Sequence, residues 1–517
     1  MYKGKKHKQQ IEETSQENSV DIASTLSISL EENISTFKKL FASDDTFIVR
    51  RFENELNTEI KCCILYIEGM VENAIINSDI IKPVVSSTSI ISKGENKLDN
   101  IMLHVLLSNN IEKESDTWKL TEALTRGRTL FFLDGSAEAL VISALGWQTR
   151  AISEPEGERI IRGPREGLTE SMTMNLTMIR RKVANNNLKF KFRTLGVQTK
   201  TKICLCYIEG IANAQILKEL NKRLDEIDID GIMASGMISE LIKDSPFSPF
   251  KTVGSTERPD VAAAKLLEGR IAIVVDGTPV ALTVPYIFIE YFQSNEDYYI
   301  NFYFSSINRM LRVLSFILTI SLPAVYIALT SFHMEMLPTP LVRSISAARQ
   351  SVPLPTAVEL IMLLLVFEIL REAGTRMPTN IGQTLSIVGV LVLGQASVEA
   401  RLVSAPVVIV LALTAITGLV LPKLKGAEIV SRLILLVFSS FIGLYGYIFG
   451  MIGLLVYLFS IRSFGVPYML TMMTFNPQDI KDTVIRAPWI FMKYRPKFIA
   501  FSNRIRNNTG GGKNETS

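Results

Sequence analysis

The sequence is poor in the residues that build metal sites and catalytic centres. It holds only 4 cysteines and 3 histidines among 517 residues, and the histidines, His7, His104 and His333, lie far apart along the chain. A metal site needs several such ligands close together. The phosphate-binding loop, the dinucleotide fingerprint, the His-Glu-x-x-His helix and the Gly-x-Ser-x-Gly elbow are also missing from the sequence. We therefore predict that the protein is not an enzyme, binds no metal and uses no cofactor.

The cysteines and the net charge exclude further classes. Cys62, Cys63, Cys204 and Cys206 lie in apolar runs typical of strands, and free cysteine packs as a small hydrophobe, so we expect reduced, buried thiols. A formal net charge of +4 is too small to indicate a nucleic-acid partner. Basic residues do gather near the carboxyl end, where contact with a membrane surface is the simpler explanation. They are Arg486, Lys493, Arg495, Lys497, Arg504 and Arg506.

Long apolar runs begin only after about Arg309, although hydrophobic residues make up 47% of the whole chain and the mean hydropathy is +0.24. The amino end has no apolar signal region, so we expect a cytoplasmic first half and a membrane-embedded second half. Tyr298, Arg309 and Arg312 mark the cytoplasmic end of the first apolar segment. The candidate segments are Leu311–Phe332, Thr356–Leu370, Ile381–Val398, Ser404–Leu421 and Leu433–Phe459. If both ends are cytoplasmic, one segment is re-entrant or interfacial, or the last is a pair of helices.

Two carboxylates, Glu359 and Glu368, fall inside the apolar segment Thr356–Leu370. A charge at the bilayer centre costs about 2.5–3.5 kcal/mol on insertion scales, so each carboxylate needs a partner, a proton or water. Two explanations stay open. The carboxylates mark an ion pathway or bind Arg371, Arg376 or another subunit, or the segment is an interfacial helix with its acids among the headgroups.

The segment Ile381–Val398 carries one small and polar stripe. At 100° per residue, the residues that share about a quarter of the helix circumference are Gln383, Ser386, Val390, Gly394, Ser397 and Arg401. Such a stripe lets helices pack closely, or it lines a pore with a glutamine near one end and an arginine near the other. Both explanations stay open, and these six residues are the candidate pore lining.

Three stretches of the first half return in the same order further along. The pairs are Tyr66-Ile67-Glu68-Gly69 with Tyr207-Ile208-Glu209-Gly210, Leu130–Ser136 with Ile271–Thr278, and Phe47–Arg50 with Phe190–Arg193. Ordered repeats predict two copies of one folding unit, each an α/β or α+β subdomain. The Asp-Gly pairs that end the second stretch are expected to be turns. Glu68 and Glu209 have no catalytic partners nearby in the sequence, so we expect them to support the fold through capping or through ion pairs with the neighbouring module.

The sequence thus divides into a soluble region of two related subdomains and an α-helical polytopic membrane domain. The predicted parts are a disordered tail (1–25), subdomain 1 (26–150), a linker with a helix (151–182), subdomain 2 (183–308), a transmembrane domain of four to six segments (309–462), a cytoplasmic carboxyl-terminal segment (463–506) and a disordered tail (507–517).

A string between the two copies, Gly163-Pro164-Arg165-Glu166-Gly167-Leu168-Thr169-Glu170, predicts a turn followed by an abrupt helix start. Together with Ser255–Asp260 and Asp276-Gly277, it resembles the A subunits of GerA-type bacterial spore germination receptors. The resemblance covers about Leu40 to Pro496. It includes Leu322-Pro323, Phe332–Glu335, Leu337–Thr339, Phe464–Tyr468 and Arg486–Pro488.

The resemblance implies a protein of the spore inner membrane with a large cytoplasmic amino-terminal region. It also implies a transporter-like B subunit and a lipoprotein C subunit as partners, with which the receptor detects nutrients and triggers germination. A subunits are expected to form homo-oligomers in contact with membrane lipid, with a pentamer around an ion-conducting path as one arrangement. Gly163–Gly167 becomes a candidate motif for assembly or signalling.

Three functions follow as hypotheses. The protein forms or gates an oligomeric ion channel, or it is a non-conducting scaffold that clusters receptor complexes. A nutrient transporter is the third, and it has the least support because the sequence lacks two matching membrane halves.

Overall fold

The computed structural model describes residues 25–87, 97–108, 110–146, 154–155, 157–158, 160, 162–376, 392, 394–470, 482–492, 494–495 and 499. Residues 1–24 and 507–517, which the sequence predicts to be disordered, lie outside this part of the chain. Gln383, Ser386 and Val390 of the candidate pore lining also lie outside it.

The first module is a five-stranded antiparallel sheet with helices on both faces. Its strands are β1 (Phe47–Glu53), β2 (Lys61–Ile67), β3 (Ile111–Glu114), β4 (Thr129–Leu133) and β5 (Ala139–Ile142), in the spatial order β1-β2-β4-β5-β3. Helices α1 (Leu30–Leu40) and α2 (Thr117–Thr125) cover one face. The other face is covered by the helical segments Asn73–Ile75, Ile76–Ile81, Lys82–Ser86, Lys97–Asn100 and Ile101–Val105.

Strand β2 shows why the sheet forms the middle layer of the first module. Cys63 and Leu65 lie in the core under α1 and α2, whereas Cys62 and Ile64 lie in the core on the opposite face. Successive side chains of a strand point to opposite faces, so a strand that is buried on both faces is a continuous apolar run. The four cysteines are buried and free, as predicted.

The second module repeats this arrangement. Its strands are β6 (Leu188–Leu195), β7 (Thr201–Ile208), β8 (Gly254–Thr256), β9 (Ile271–Val275) and β10 (Ala281–Val284), in the order β6-β7-β9-β10-β8. Its helices are α3 (Met172–Lys182), α4 (Ala214–Asp225), α5 (Ser235–Ile242) and α6 (Pro259–Leu267). Helices α3 and α6 cover one face, and α4 and α5 cover the other. The strand order matches that of the first module, which confirms two related subdomains.

The structure corrects two details of the predicted duplication. Strand β1 pairs Phe47 with Ile67, and β6 pairs Leu188 with Ile208, so Phe47 corresponds to Leu188 and not to Phe190. A shift by two residues leaves every side chain on the same face, so the alternation in the sequence did not reveal it. Helix α3 is the first helix of the second module, since it packs into that core, and the range 151–182 is therefore not all linker.

The two Asp-Gly pairs form equivalent turns. Gly135 and Gly277 have φ values of +85° and +80°, which glycine adopts readily. Asp134 accepts a hydrogen bond from the backbone N–H that opens α1 at 3.1 Å, and Asp276 accepts one from the N–H that opens α3 at 3.2 Å. Each aspartate thereby fixes the first helix of its module to the sheet.

The carboxyl-terminal half is a block of apolar helices. They are α7 (Phe302–Ile327), α8 (Thr339–Arg349), α9 (Thr356–Arg376), α10 (Ala405–Gly418), α11 (Lys425–Ile442) and α12 (Leu444–Ser460), followed by the hairpin of β11 (Arg462–Ser463) and β12 (Val466–Pro467). Residues 394–399 are also helical. Short 3-10 helices occupy Phe288–Phe292, Asn295–Tyr298, Met334–Met336, Pro422–Leu424 and Trp489–Phe491.

One helix of the described residues is long and apolar enough to cross a membrane by itself. It is α7 with the π-type turn that follows it, Phe302–Phe332, a stretch of 31 residues. Helix α10 and residues Pro422–Ile442 pass the same test only together, as a pair bent by 103°, and α12 is apolar but shorter.

Helices α11 and α12 form an antiparallel hairpin that turns at Gly443. A Cβ at Gly446 would meet the carbonyl oxygen of Phe438, and a Cβ at Gly450 would meet the side chain of Leu435, so the two glycines permit close approach. The predicted segment Leu433–Phe459 is therefore a pair of helices. Helix α7 also begins earlier than its apolar run, and in its first turns only one side, with Ser305 and Arg309, is buried against protein.

The second module and the helical block share one core. This core includes Ile203 and Leu205 of the sheet, Phe288 and Tyr291 of the connecting segment, Phe316 and Ile320 of α7, and Leu435 and Leu458 of the α11–α12 hairpin. Protein interiors are close-packed and resist deformation, so a movement of the second module must also move these helices.

Candidate functional site

The polar groups of the candidate site gather where the second module meets the helices. Five parts of the chain meet there: Gly157, Glu158 and Pro164 of the linker, the segment from β8 to α6, the connecting residues 283–298, the first turns of α7, and the turn between α10 and α11. We call this region the junction.

Arg258 binds the linker segment to the second module. Its guanidinium donates a hydrogen bond to the carbonyl oxygen of Pro164 at 2.6 Å and pairs with Asp260 at 2.9 Å. Asp260 also accepts hydrogen bonds from Asn295 at 2.6 Å and from Tyr299 at 2.9 Å. Arg258 and Asp260 are buried, so this network joins the linker, the second module and the segment that leads into α7.

Glu158 connects the same linker to the helical block. Its Oε2 accepts hydrogen bonds from the hydroxyl of Thr256 at 2.6 Å and from the backbone N–H of Glu257 at 3.1 Å. Its Oε1 forms an ion pair with Lys423, which lies in the turn between α10 and α11. One carboxylate therefore links β8 to this turn.

A cavity of ≈ 380 Å³ lies inside the junction. Glu158, Arg258 and Lys423 line it together with neutral phenols. Burial raises the pKa of Tyr286 well above its usual range and that of Tyr291 to about 12, so both phenols stay neutral. The α10–α11 turn borders this cavity, and its Leu421 and Leu424 belong to the core shared with the second module.

Asp297 anchors the start of α7 in the junction. Its carboxylate accepts hydrogen bonds from Arg309 at 2.9 Å and from Arg312 at 2.8 Å. Arg309 also pairs at 2.8 Å with Asp482, which accepts a hydrogen bond from Tyr298 at 2.8 Å. Removal of one partner from such a buried ion pair typically costs about 3–5 kcal/mol. Tyr298, Arg309 and Arg312 lie at the start of the first apolar helix as predicted, but acidic side chains bind them there.

The expected position of Arg486 on the membrane surface is wrong. This side chain is buried, and its guanidinium donates a hydrogen bond to the carbonyl oxygen of Ile300 at 2.9 Å. The backbone N–H of Arg486 donates to the hydroxyl of Ser306 at 3.1 Å. The carboxyl-terminal segment therefore packs on the first turn of α7 at this point.

The first half of the predicted assembly motif shapes the junction. Gly163 has a φ of +131°, and a Cβ at this position would lie 2.8 Å from the ring of Tyr299. Pro164 follows and presents its carbonyl oxygen to Arg258. Because any side chain at Gly163 would collide with Tyr299, glycine is required there.

The second half of the motif lies nearer the surface. Arg165 pairs with Glu154 at 3.1 Å, and both side chains are exposed. Glu166 pairs with Lys182 at 3.0 Å, and Gly167 is buried beside it in the chain. Arg165 and Glu166 thus lie in ion pairs near the surface, whereas Gly163 and Pro164 belong to the junction. The role of the motif in assembly or signalling stays a prediction.

Glu359 lies inside the helical block and has a partner there. It is fully buried, and its Oε2 accepts hydrogen bonds from the backbone N–H and the hydroxyl of Ser404, both at 2.9 Å. Ser404 is the residue before α10, whose first N–H groups lack partners within the helix. Glu359 therefore caps α10 and does not lie among lipid headgroups.

Glu368 lies between two arginines. It pairs with Arg371, as the sequence suggested, and with Arg432 of α11 at 2.7 Å, which the sequence did not suggest. Arg376 pairs with Glu372 instead, at 2.8 Å. Glu368 thus connects α9 to α11 inside an apolar environment.

The described part of the candidate pore lining comprises Gly394, Ser397 and Arg401. Gly394 is buried, and a Cβ there would lie 3.3 Å from Val408 of α10. Ser397 is half-buried, while Arg401 is exposed and follows the helix end with a φ of +56°. Close packing is therefore present at Gly394. The pore lining as a whole stays a prediction.

The two modules are held together by a buried ion pair that the sequence did not indicate. Arg180 of α3 lies 2.6 Å from Asp44, which follows α1, and both side chains are almost fully buried. Lys189 donates a hydrogen bond to the carbonyl oxygen of Leu40 at 3.1 Å. It also lies 3.7 Å from Glu209 of the repeated tetrapeptide, so the ion pair of Glu209 lies within the second module, whereas we expected a pair with the neighbouring module.

In the part of the chain that the structure describes, no group of three or more His, Cys, Asp or Glu residues could hold a metal ion. The fold and the junction together define a class: two related α/β modules, joined through a buried polar network to a block of apolar helices. The chain belongs to the GerA family, because the model of the Bacillus/Clostridium GerA spore germination protein matches residues 35–498.

Individual relatives agree with this assignment. Spore germination protein KA of Bacillus subtilis (strain 168) is 43% identical over 484 residues, which cover 93% of this chain and 88% of the relative. Spore germination protein B1 of the same strain is 37% identical, over 90% of this chain and 96% of its own length. GerLA of Bacillus cereus is 39% identical, over 74% of this chain and 78% of its own length.

A solved structure is also similar. The N-terminal domain of the A subunit of the Bacillus megaterium spore germinant receptor GerK3 is 34% identical, with a TM-score of 0.40, over 51% of this chain and 98% of that chain.

Proposed function

We propose that this chain is the membrane-embedded A subunit of a spore germination receptor. Its family and its relatives, which are spore germination proteins, support a role in germination. In this proposal the chain lies in the inner membrane of the spore, with both modules in the cytoplasm. It couples germinant detection by the whole receptor to an oligomeric ion channel, and it works with a transporter-like B subunit and a lipoprotein C subunit.

The exposed apolar surface of the helices carries the membrane part of the proposal. Soluble monomers rarely expose contiguous apolar areas larger than a few hundred Å². Here large apolar side chains are exposed along α7 and α9 to α12, and lipid tails would cover them. Examples are Leu311, Leu314, Ile317, Leu365, Ile369, Ile409, Ile416, Phe441, Phe449 and Val456.

The junction supplies a route from the modules to the helices. The second module shares its core with α7 and the α11–α12 hairpin, and Glu158 binds Lys423 of the α10–α11 turn. Because Leu421 and Leu424 of the same turn belong to this core, a movement of the second module would carry the turn with it.

Residues 383–401 are the proposed lining of the ion path. Gly394 packs against α10, whereas Ser397 and Arg401 keep exposed surface in the single chain. We place the opposite side of this helix against neighbouring copies, so that a ring of subunits, with a pentamer as the favoured number, encloses the path. Gln383, Ser386 and Val390 complete the lining in this arrangement.

Reconstitution of the full chain with its partner subunits into liposomes tests the channel. We expect a germinant-dependent ion flux that a thiol reagent reduces in the variant Ser397→Cys. The native cysteines are buried, so the wild type provides a control for the reagent, and Leu56→Cys on the first module provides a matched exposed thiol. Absence of conductance under every germinant and partner condition would refute the channel and leave the non-conducting scaffold as the better hypothesis.

A further inference from the structure

The second module carries an exposed apolar surface on and around α5. Met233, Met237 and Leu241 follow one another at four-residue spacing and are 75%, 39% and 46% exposed, while the opposite side of α5 is buried in the core. Phe247, in the loop after α5, is fully exposed. We call these four residues the α5 surface. Met237 and Leu241 lie four residues apart on one side of α5, and the backbone N–H of Met233, which precedes the helix, lies 3.4 Å from the sulfur of Met237. Together with Phe247 they form a candidate contact site.

The loop that carries Phe247 is fixed to the end of α12. The ring of Phe250 lies 6.4 Å from the ring of Tyr457, centroid to centroid, and Tyr457 lies within the last turn of α12. Asp244 accepts a hydrogen bond at 2.9 Å from the backbone N–H of Phe464, just beyond α12. One helical turn rises only about 5.4 Å, so the loop lies at the level where α12 ends.

Charges of both signs lie at this level of the molecule, since Glu240 of α5 is exposed and Asp244 follows the helix. Lys251, Lys423 and Arg462 are exposed, and Lys251 and Lys423 are close enough to interact electrostatically. The loop is held in place on this side as well, because the hydroxyl of Tyr468 donates to the carbonyl oxygen of Lys251 at 2.9 Å. Exposed apolar side chains among charged ones suit the boundary between the headgroups and the acyl chains of a membrane.

We propose that the α5 surface inserts into the headgroup layer of the membrane and holds the second module against it. The loop that carries Phe247 is bound at the end of α12, whose exposed apolar side lipid covers in the proposed placement, and this position favours lipid over a protein partner. The inference rests on the membrane placement proposed above. The further claim is that the second module, which lies in the cytoplasm in that placement, also touches the lipid directly.

Spin labels on the full chain in vesicles of phosphatidylcholine and phosphatidylglycerol test this contact. The variant Phe247→Cys reports on the α5 surface, Phe449→Cys on the exposed side of α12, and Leu56→Cys on an exposed apolar position of the first module. The native thiols will not take up the label, because they are buried and burial raises the pKa of Cys62 and Cys63 to about 12. The measured quantity is the collision rate of each label with oxygen, which enriches in lipid, and with a water-soluble nickel chelate.

We expect the oxygen-to-nickel ratio at Phe247→Cys to lie several-fold above that at Leu56→Cys and below that at Phe449→Cys. A ratio equal to that at Leu56→Cys overturns the inference. So does a label at position 247 that is shielded from both reagents, because that pattern indicates a protein partner. If Phe449→Cys itself reports water, the membrane placement fails and the inference fails with it. If the label at position 449 reports lipid and the label at position 247 reports water, the lipid contact of the α5 surface is refuted while the membrane placement stands.

Discussion

At the scale of single residues, one asparagine in each module holds the segment before the first helix. Asn33 accepts a hydrogen bond from the N–H of Ser27 at 2.8 Å and donates to its carbonyl oxygen at 2.7 Å. Asn175 does the same with Thr169, at 2.7 and 2.6 Å. Both asparagines are buried. The duplication therefore extends to individual polar contacts, which the apolar pattern alone did not predict.

Alanine at either asparagine should loosen only its own module. Loss of the side chain leaves a partly buried N–H and a partly buried carbonyl group without this partner, which costs up to about 1–3 kcal/mol. Amide hydrogen exchange in the first turn of α1 should then quicken by about 5- to 150-fold in Asn33→Ala, with the corresponding effect on α3 in Asn175→Ala. Mass spectrometry of the full chain measures both, with Asn187→Ala at an exposed site as control. Equal amide exchange rates in all three variants would show that these asparagines do not hold the first helices in place.

At the scale of elements, the sequence predicts those parts whose side chains share one environment. Strands β2 and β7 were recognisable because both of their faces are buried, so their sequences are continuous apolar runs. The start of α7 was not recognisable, because Arg309 interrupts the apolar run. The burial of Arg309 depends on ion pairs with Asp297 and with Asp482, and Asp482 is far away in the chain. Hydropathy averages over neighbours in sequence and cannot register such a pairing.

The turn between α11 and α12 provides a prediction at this scale. Gly443 has a φ of +65° and a ψ of −137°, and a Cβ there would lie 2.8 Å from side-chain atoms of Phe332. We expect Gly443→Ala to destabilise the helical block by about 1–3 kcal/mol, because strained backbone and overlap act together. Gly453, within α12, is the matched control, since its Cβ would meet nothing within 4 Å. Alanine there should be neutral or stabilising by up to about 1 kcal/mol. Thermal unfolding of the detergent-solubilised chain measures the stability of both variants. If Gly443→Ala and Gly453→Ala change the stability equally, the turn does not require glycine at position 443.

At the scale of the whole molecule, the sequence predicted the division into modules and apolar helices but not the place where they meet. The strings around Gly163 and Ser255–Asp260 were visible as motifs, yet nothing in the sequence showed that Arg258 binds the carbonyl oxygen of Pro164. Glu158 and Lys423 are also far apart in sequence. Such long-range polar contacts follow from the tertiary fold, whereas local periodicity reports only what each element buries. The junction therefore had to be read from the structure.

The ion pair between Glu158 and Lys423 gives a test of the junction as the route of coupling. Lys423→Met removes this pair and leaves intact the hydrogen bonds of Glu158 to Thr256 and Glu257. The lysine side chain is 49% exposed, so the pair contributes at most about 1 kcal/mol. If the pair transmits the signal, Lys423→Met should raise the germinant concentration for half-maximal ion release by up to about fivefold, at unchanged receptor level.

Two matched variants separate transmission from a general loss of charge. Lys423→Arg keeps a cation in reach of Glu158 and should restore the response. Lys222→Met removes a pair between exposed side chains on α4, Lys222 with Glu226 at 3.9 Å, and should have no effect. Wild-type germination in Lys423→Met spores would show that the signal passes elsewhere, and the core shared by the second module, α7 and the α11–α12 hairpin would then be the remaining route.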